Sequence, residues 1–116
     1  MMKKSERTVQ KVEHAQGGEG YILKDALLTP QQMGEHCTML AEIVLEPGCE
    51  VGLHQHNGTT ETYYILEGGG MYTDDGKQYP VKAGDVTFCD NGHFHALKNI
   101  GDKNLVMIAL ILKKEA

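Results

Sequence analysis

Apolar and polar residues alternate along this chain in short runs, broken at close intervals by turn-forming sequences. Pro47-Gly48, Asn57-Gly58, Gly68-Gly69-Gly70, Asp75-Gly76, Gly84, Asn91-Gly92 and Gly101-Asp102 mark the breaks. Short runs between such breaks read as strands of an all-β sandwich or barrel. The pattern predicts strands over 21–28, 37–45, 60–66, 70–73, 77–81, 85–89, 95–99 and 104–112. Alternation along a strand puts Glu61, Tyr63 and Ile65 on one face and Tyr64 on the other. By the same rule His95, Leu97 and Asn99 share a face. Asp74-Asp75-Gly76 reads as a hairpin turn. The one helix start is Thr29-Pro30-Gln31-Gln32, a capping box with proline at the first helical position. Gly34 stops it within a turn. Residues 1–18 read as an N-terminal arm, ahead of one barrel domain over 19–116.

Composition narrows the function classes. A chain of 116 residues makes one domain. The formal charge is −5, and the basic residues are ten lysines and Arg7. No basic run with interleaved aromatics is present, so nucleic-acid binding lacks its electrostatic footprint. The longest apolar run, 105–112, is too short to span a bilayer, and the polar first 16 residues contain no secretory apolar segment. The three scattered cysteines, Cys37, Cys49 and Cys89, fit reduced thiols. The expectation is a cytoplasmic protein. Ser5 is the only serine, which argues against a serine nucleophile.

The candidate chemistry sits in two strings. The first is Gly48-x5-His54-x-His56-x4-Glu61-x6-Gly68, and the second is Gly84-x7-Gly92-x2-His95-x3-Asn99. Residues i and i+2 of a strand point to one side, so His54 and His56 can aim at one point. Glu61 and His95 then complete the set from neighbouring strands. Three imidazoles and a carboxylate suit one divalent transition metal ion such as Fe, Mn, Ni, Co or Zn.

These strings resemble the two motifs of the cupin superfamily. The first matches G-x5-H-x-H-x3,4-E-x6-G at every fixed position. The second matches G-x5-P-x-G-x2-H-x3-N except that Asp90 stands in place of proline, which puts the stiffness of that turn in question. The resemblance implies a jelly-roll barrel, the double-stranded β-helix of small single-domain cupins. It implies a metal held by His54, His56, Glu61 and His95, and an N-terminal arm that often adds a strand to a partner, hence a homodimer. It does not imply one reaction, because a fold hosts many chemistries.

Around that centre, Tyr63 either donates or orients a proton or simply fills the barrel with its hydroxyl bonded. His93 is either a proton shuttle at the barrel mouth or a solvated loop residue. Asn99 reads as structural. Sites that grip carboxylates often use an arginine fork. The only arginine lies in the arm, leaving Lys24 or Lys98 as point charges. The expected ligand is therefore a small molecule held mainly by the metal through its own oxygens, such as an enolate, diketone or hydroxy-ketone, in an apolar interior. The expected function is a metal-dependent enzyme with Glu61 or Tyr63 moving the proton. Iron would favour dioxygenase-like chemistry; Mn, Zn or Ni would favour proton transfer, isomerisation or decarboxylation. A non-catalytic small-ligand or metal-binding module is the competing expectation.

Overall fold

A computed structural model describes residues 1–114; the last two residues of the expected barrel range lie outside the described residues. The strands are β1 (Gln10–Glu13), β2 (Tyr21–Ala26), β3 (Cys37–Leu45), β4 (Glu50–Gln55), β5 (Thr59–Glu67), β6 (Gly69–Asp74), β7 (Lys77–Lys82), β8 (Val86–Cys89), β9 (Phe94–Lys98) and β10 (Leu105–Lys113). They form a six-stranded sheet, β1-β2-β3-β10-β5-β8, facing a four-stranded sheet, β4-β9-β6-β7. Every strand pairing among the described residues is antiparallel. This is the jelly-roll architecture expected. No helix is long and apolar enough to cross a membrane among the described residues.

The inner faces enclose one core that includes Ile43, Leu45, Ile65, Leu97, Leu105 and Met107, each 3 % exposed or less. Burying such side chains stabilises by about 1.5–3 kcal/mol each. Tyr63 and Ile65 are buried while Tyr64 is exposed, as alternation requires. The hairpin after β6 turns at Asp75 (φ 47°) and Gly76 (φ 86°), both left-handed, as the twist-matched two-residue turn demands. The short helix α1 (Pro30–Met33) carries the full capping box: the Thr29 side chain accepts from the Gln32 backbone N–H, and the Gln32 side chain accepts from that of Thr29.

Two strands escape the sequence pattern. β1 is exposed along its length and has no buried face to reveal it; it exists because it hydrogen-bonds to β2 of the same chain. β4 is interrupted by Gly52, and its register with β9 shifts between Val51 and His54. Two residues of β4, Gly52 and Leu53, stand opposite Ala96 alone, which is a β-bulge. The extra residue reverses the alternation, so Val51 and His54 both face inward while Leu53 is 60 % exposed.

The arm is seated on this bulge. A Cβ on Gly52 would stand 2.3 Å from the Gln16 carbonyl oxygen, and one on Gly18 would stand 2.6 Å from that of Glu50. Only glycine at both positions lets the two backbones approach this closely. Arg7 ties the arm down at its other end, with two hydrogen bonds to Asp25 at 2.9 and 3.2 Å.

Candidate metal centre

Four side chains converge between the sheets: His54 from β4, His56 just past it, Glu61 from β5 and His95 from β9. His54 and His95 are direct cross-strand partners. His95 Nε2 lies 3.0 Å from Nε2 of both His54 and His56. Glu61 Oε1 lies 3.0 Å from His56 Nε2 and His95 Nε2, and 3.5 Å from His54 Nε2. His95 is fully buried and Glu61 and His56 nearly so.

The outer nitrogen of each imidazole has its own partner. His54 Nδ1 is 2.7 Å from the Gly52 carbonyl oxygen. His56 Nδ1 is 2.9 Å from Thr59 Oγ1, and His95 Nδ1 is 2.8 Å from the Tyr72 hydroxyl. A carbonyl only accepts, so His54 carries its proton on Nδ1 and turns a lone pair inward on Nε2. Partners of this kind fix the ring orientation and tautomer of metal-binding histidines. Tyr72 was not legible in the sequence, because the register that brings it to His95 belongs to no motif; Thr59 reaches His56 across the local turn three residues on, a contact that strand alternation does not reveal. β6 pairing with β9 sets Tyr72 opposite Leu97 and Asp74 opposite His95.

The electrostatics match a cation site. Burial works to raise the Glu61 carboxyl, but hydrogen bonds from His54, His56 and His95 outweigh it and hold the group well below the usual carboxylate range. Burial lowers His95 against the pull of Glu61. Burial also lowers His54, yet Glu61 and the Gly52 carbonyl bring it out above the ordinary histidine value. Tyr63 is stacked on the His95 ring, centroids 5.0 Å apart. Burial first, and the Glu61 charge second, push its phenol well up.

The donor set fits a divalent transition ion. Bonds of about 2.1 Å at right angles put neighbouring ligand atoms about 3.0 Å apart, the spacing seen for four of the contacts above. Four donors on a six-coordinate ion leave room for a ligand.

Beside the centre is a cavity of about 220 Å³, lined by Glu61, His54, His56 and Tyr63 and by the apolar Ile22, Met39, Ile43, Val51, Met107, Ala109 and Ile111. The small side chain of Ala109 leaves it room next to Tyr63, its direct partner in the sheet. Val12, Ala15 and Gln16 of the arm and Lys24 of β2 complete the lining.

Other candidate residues fall elsewhere. His93 is about half exposed and bonded to Asp75, and it does not line the cavity. Lys98 pairs with Glu19 outside it. Asn99 is fully buried and donates to the carbonyl oxygens of Leu45 and Lys103 at 2.8 and 2.7 Å, the structural role expected. The turn lacking proline is held otherwise: Asp90 Oδ1 accepts from the Asn91 N–H at 2.8 Å and from the Lys114 ammonium at 2.6 Å. That turn is also bonded to the His56 backbone, whose carbonyl accepts from Gly92 and whose N–H donates to His93.

A two-sheet jelly roll with three inward histidines and a glutamate defines a metal-binding cupin centre. Residues 41–111 match the Cupin domain family model. The chain belongs to the cupin family. It is 39 % identical over 112 residues to the oxalate-binding protein of Thermotoga maritima, an alignment covering 97 % of this chain and 93 % of the relative. A crystal structure described as a predicted oxalate decarboxylase from Thermotoga maritima superposes with a TM-score of 0.93 at 38 % identity, over 98 % of this chain and 99 % of that one. A 5-nitrosalicylic acid 1,2-dioxygenase from Bradyrhizobium is 34 % identical over 67 residues, which is 58 % of this chain and 32 % of that enzyme.

Proposed function

We propose that this chain is a metal-dependent cupin that takes a small chelating oxygen ligand at the His54-His56-Glu61-His95 centre and promotes chemistry on it. The observation that carries this reading is the convergence of four donor atoms beside an apolar cavity, with the outer nitrogen of every imidazole already occupied. The name of the Thermotoga relative makes oxalate the first ligand to try. A divalent ion held by these four residues would supply Lewis-acid polarisation of the ligand's oxygens.

The chain's own groups do the rest. The apolar wall of Ile22, Met39 and Ile43 strips water from a bound molecule and strengthens the polar contacts it makes. Two residues meet the polar atoms of the ligand: the ionised Glu61 carboxylate can accept a hydrogen bond from it, and the neutral Tyr63 phenol can donate one. A second reading, capture without turnover, draws on the binding name of the Thermotoga relative and on Tyr63 being stacked and fully enclosed.

The test is elemental analysis of protein purified without a chelating column, followed by oxalate binding and turnover on the loaded protein. About one transition ion per chain with consumption of oxalate, with or without uptake of O2, supports the enzyme. Saturable binding with no product supports capture. A chain that refuses every transition ion on reconstitution refutes the metal-centre reading.

We also infer a homodimer. The β10-β5-β8 part of the six-stranded sheet is apolar on its outer face too, with Tyr64, Val86 and Phe88 exposed and Val106, Ile108 and Leu110 of β10 half-buried on the other side of β5. Sheets apolar on both faces are covered on both. At about 4.8 Å between strands and about 3.3 Å per residue these three strands present roughly 350 Å², the size of patch that often marks a contact site. Sedimentation analysis of wild type and Phe88→Glu checks this: a wild-type monomer at micromolar concentration would overturn it. The three free cysteines suit a reducing compartment, and we place the chain in the cytoplasm.

A further inference from the structure

We propose that Lys24 is the residue that sets the charge of the ligand, and that it makes the cavity selective for small dianions over isosteric monoanions. This rests on the metal-centre reading above and adds to it a specificity-determining residue on the same cavity.

Lys24 stands on the inner face of β2, directly opposite Ile43, another cavity residue. It is half-buried. The other cations near the barrel ends are taken: Arg7 by Asp25, Lys98 by Glu19 and Lys114 by Asp90. Among the described residues no carboxylate or other acceptor pairs with the Lys24 ammonium. It is the one cationic side chain that lines the cavity. Apart from Glu61 the lining holds no carboxylate, so the anion that meets Lys24 is left for a ligand to supply.

Charge counting then selects the ligand class. Three neutral imidazoles, one carboxylate and a divalent ion leave one net positive charge at the centre. Lys24 adds a second. A doubly charged small acid neutralises both, with one carboxylate toward the centre and the other toward Lys24. A diketonate or enolate carries one charge and leaves the ammonium unpaired. The lining therefore departs from the enolate-like ligand that the lack of a barrel arginine suggested. Gln16, at the cavity rim, offers a neutral amide that adds hydrogen bonds without altering this count.

The experiment compares oxalate with oxamate, which has nearly the same shape and one negative charge, by calorimetry on the metal-loaded protein. Wild type, Lys24→Met and Lys24→Arg are each measured, with metal content and metal affinity determined alongside. The expected result is that Lys24→Met weakens oxalate about tenfold or more, the scale of a lost charge-assisted hydrogen bond. Oxamate should change by less than about threefold, so that selectivity collapses. Lys24→Arg should restore most of the preference. Metal affinity of Lys24→Met should stay level or rise, since a neighbouring positive charge has been removed; a residue of merely structural importance would lower it. Equal oxalate affinity in wild type and Lys24→Met, at equal metal content, overturns this proposal and leaves the metal-centre reading standing. Failure of all three proteins to take a metal overturns both.

Discussion

Replacing Tyr72 by phenylalanine tests the centre most sharply, because it removes one oxygen atom that touches no ligand position. The Tyr72 hydroxyl is 2.8 Å from His95 Nδ1, and both side chains are buried, at 3 % and 0 % exposure. In the metal-free protein the His95 ring can answer the loss by carrying its proton on Nε2, where Glu61 accepts it at 3.0 Å. With a metal on Nε2 that escape is closed. The proton must sit on Nδ1, and in the variant it faces a phenyl ring. An unpaired buried donor costs about 1–3 kcal/mol, and nearly all of that penalty falls on the loaded state. At about 1.4 kcal/mol per tenfold, metal affinity should drop roughly 5- to 150-fold. Losses of 10- to 100-fold are usual when such outer partners are removed. Competition against a chromophoric chelator measures it, with thermal melting of the metal-free protein as the check on folding. Tyr64→Phe, on the outer face of β5, is the matched control and should leave metal affinity within about threefold. A Tyr72→Phe protein that binds metal as tightly as wild type would refute the argument that this hydroxyl fixes the His95 tautomer.

Metal affinity should fall as pH drops, because only neutral imidazoles ligate. His54, held above the ordinary histidine value by Glu61 and the Gly52 carbonyl despite burial, protonates first, so the decline should begin above about pH 6.5; a chelator titration that stays flat down to pH 5 would contradict it. Ala109→Leu should fill the cavity beside Tyr63 and abolish oxalate binding by calorimetry while metal content stays at wild-type level; joint loss of both would mean that the cavity and the centre are not separable. In native protein at pH 8, a thiol reagent should label Cys37 quickly and Cys49 and Cys89 slowly. Cys49 and Cys89 are buried, and burial raises the Cys89 thiol to about 11, so its reactive thiolate is scarce. Unfolding should release all three, and three fast thiols in the native state would rule out this packing.

The sequence by itself determined the strands whose two faces differ, the hairpin at Asp75-Gly76, the capped turn at Thr29 and the identity of the four donor residues. Each is a local pattern: alternation reflects one buried face, turn types demand particular residues, and the motif spacings are offsets along the chain. Tertiary structure alone decided what depends on register. The bulge at Gly52-Leu53 turns His54 inward, against simple alternation from Val51. Strand pairing delivers the Tyr72 hydroxyl to His95 and sets the small Ala109 beside Tyr63 on the cavity wall. β1 is legible only as a partner of β2, since its own residues are exposed throughout. Lys24 reads in the sequence as one lysine among ten, and only its place on the inner face of β2 sets its charge against the metal centre. A sequence records which side chains exist and how they alternate, whereas the partner each one meets is set by sheet register, summed over contacts far apart in the chain.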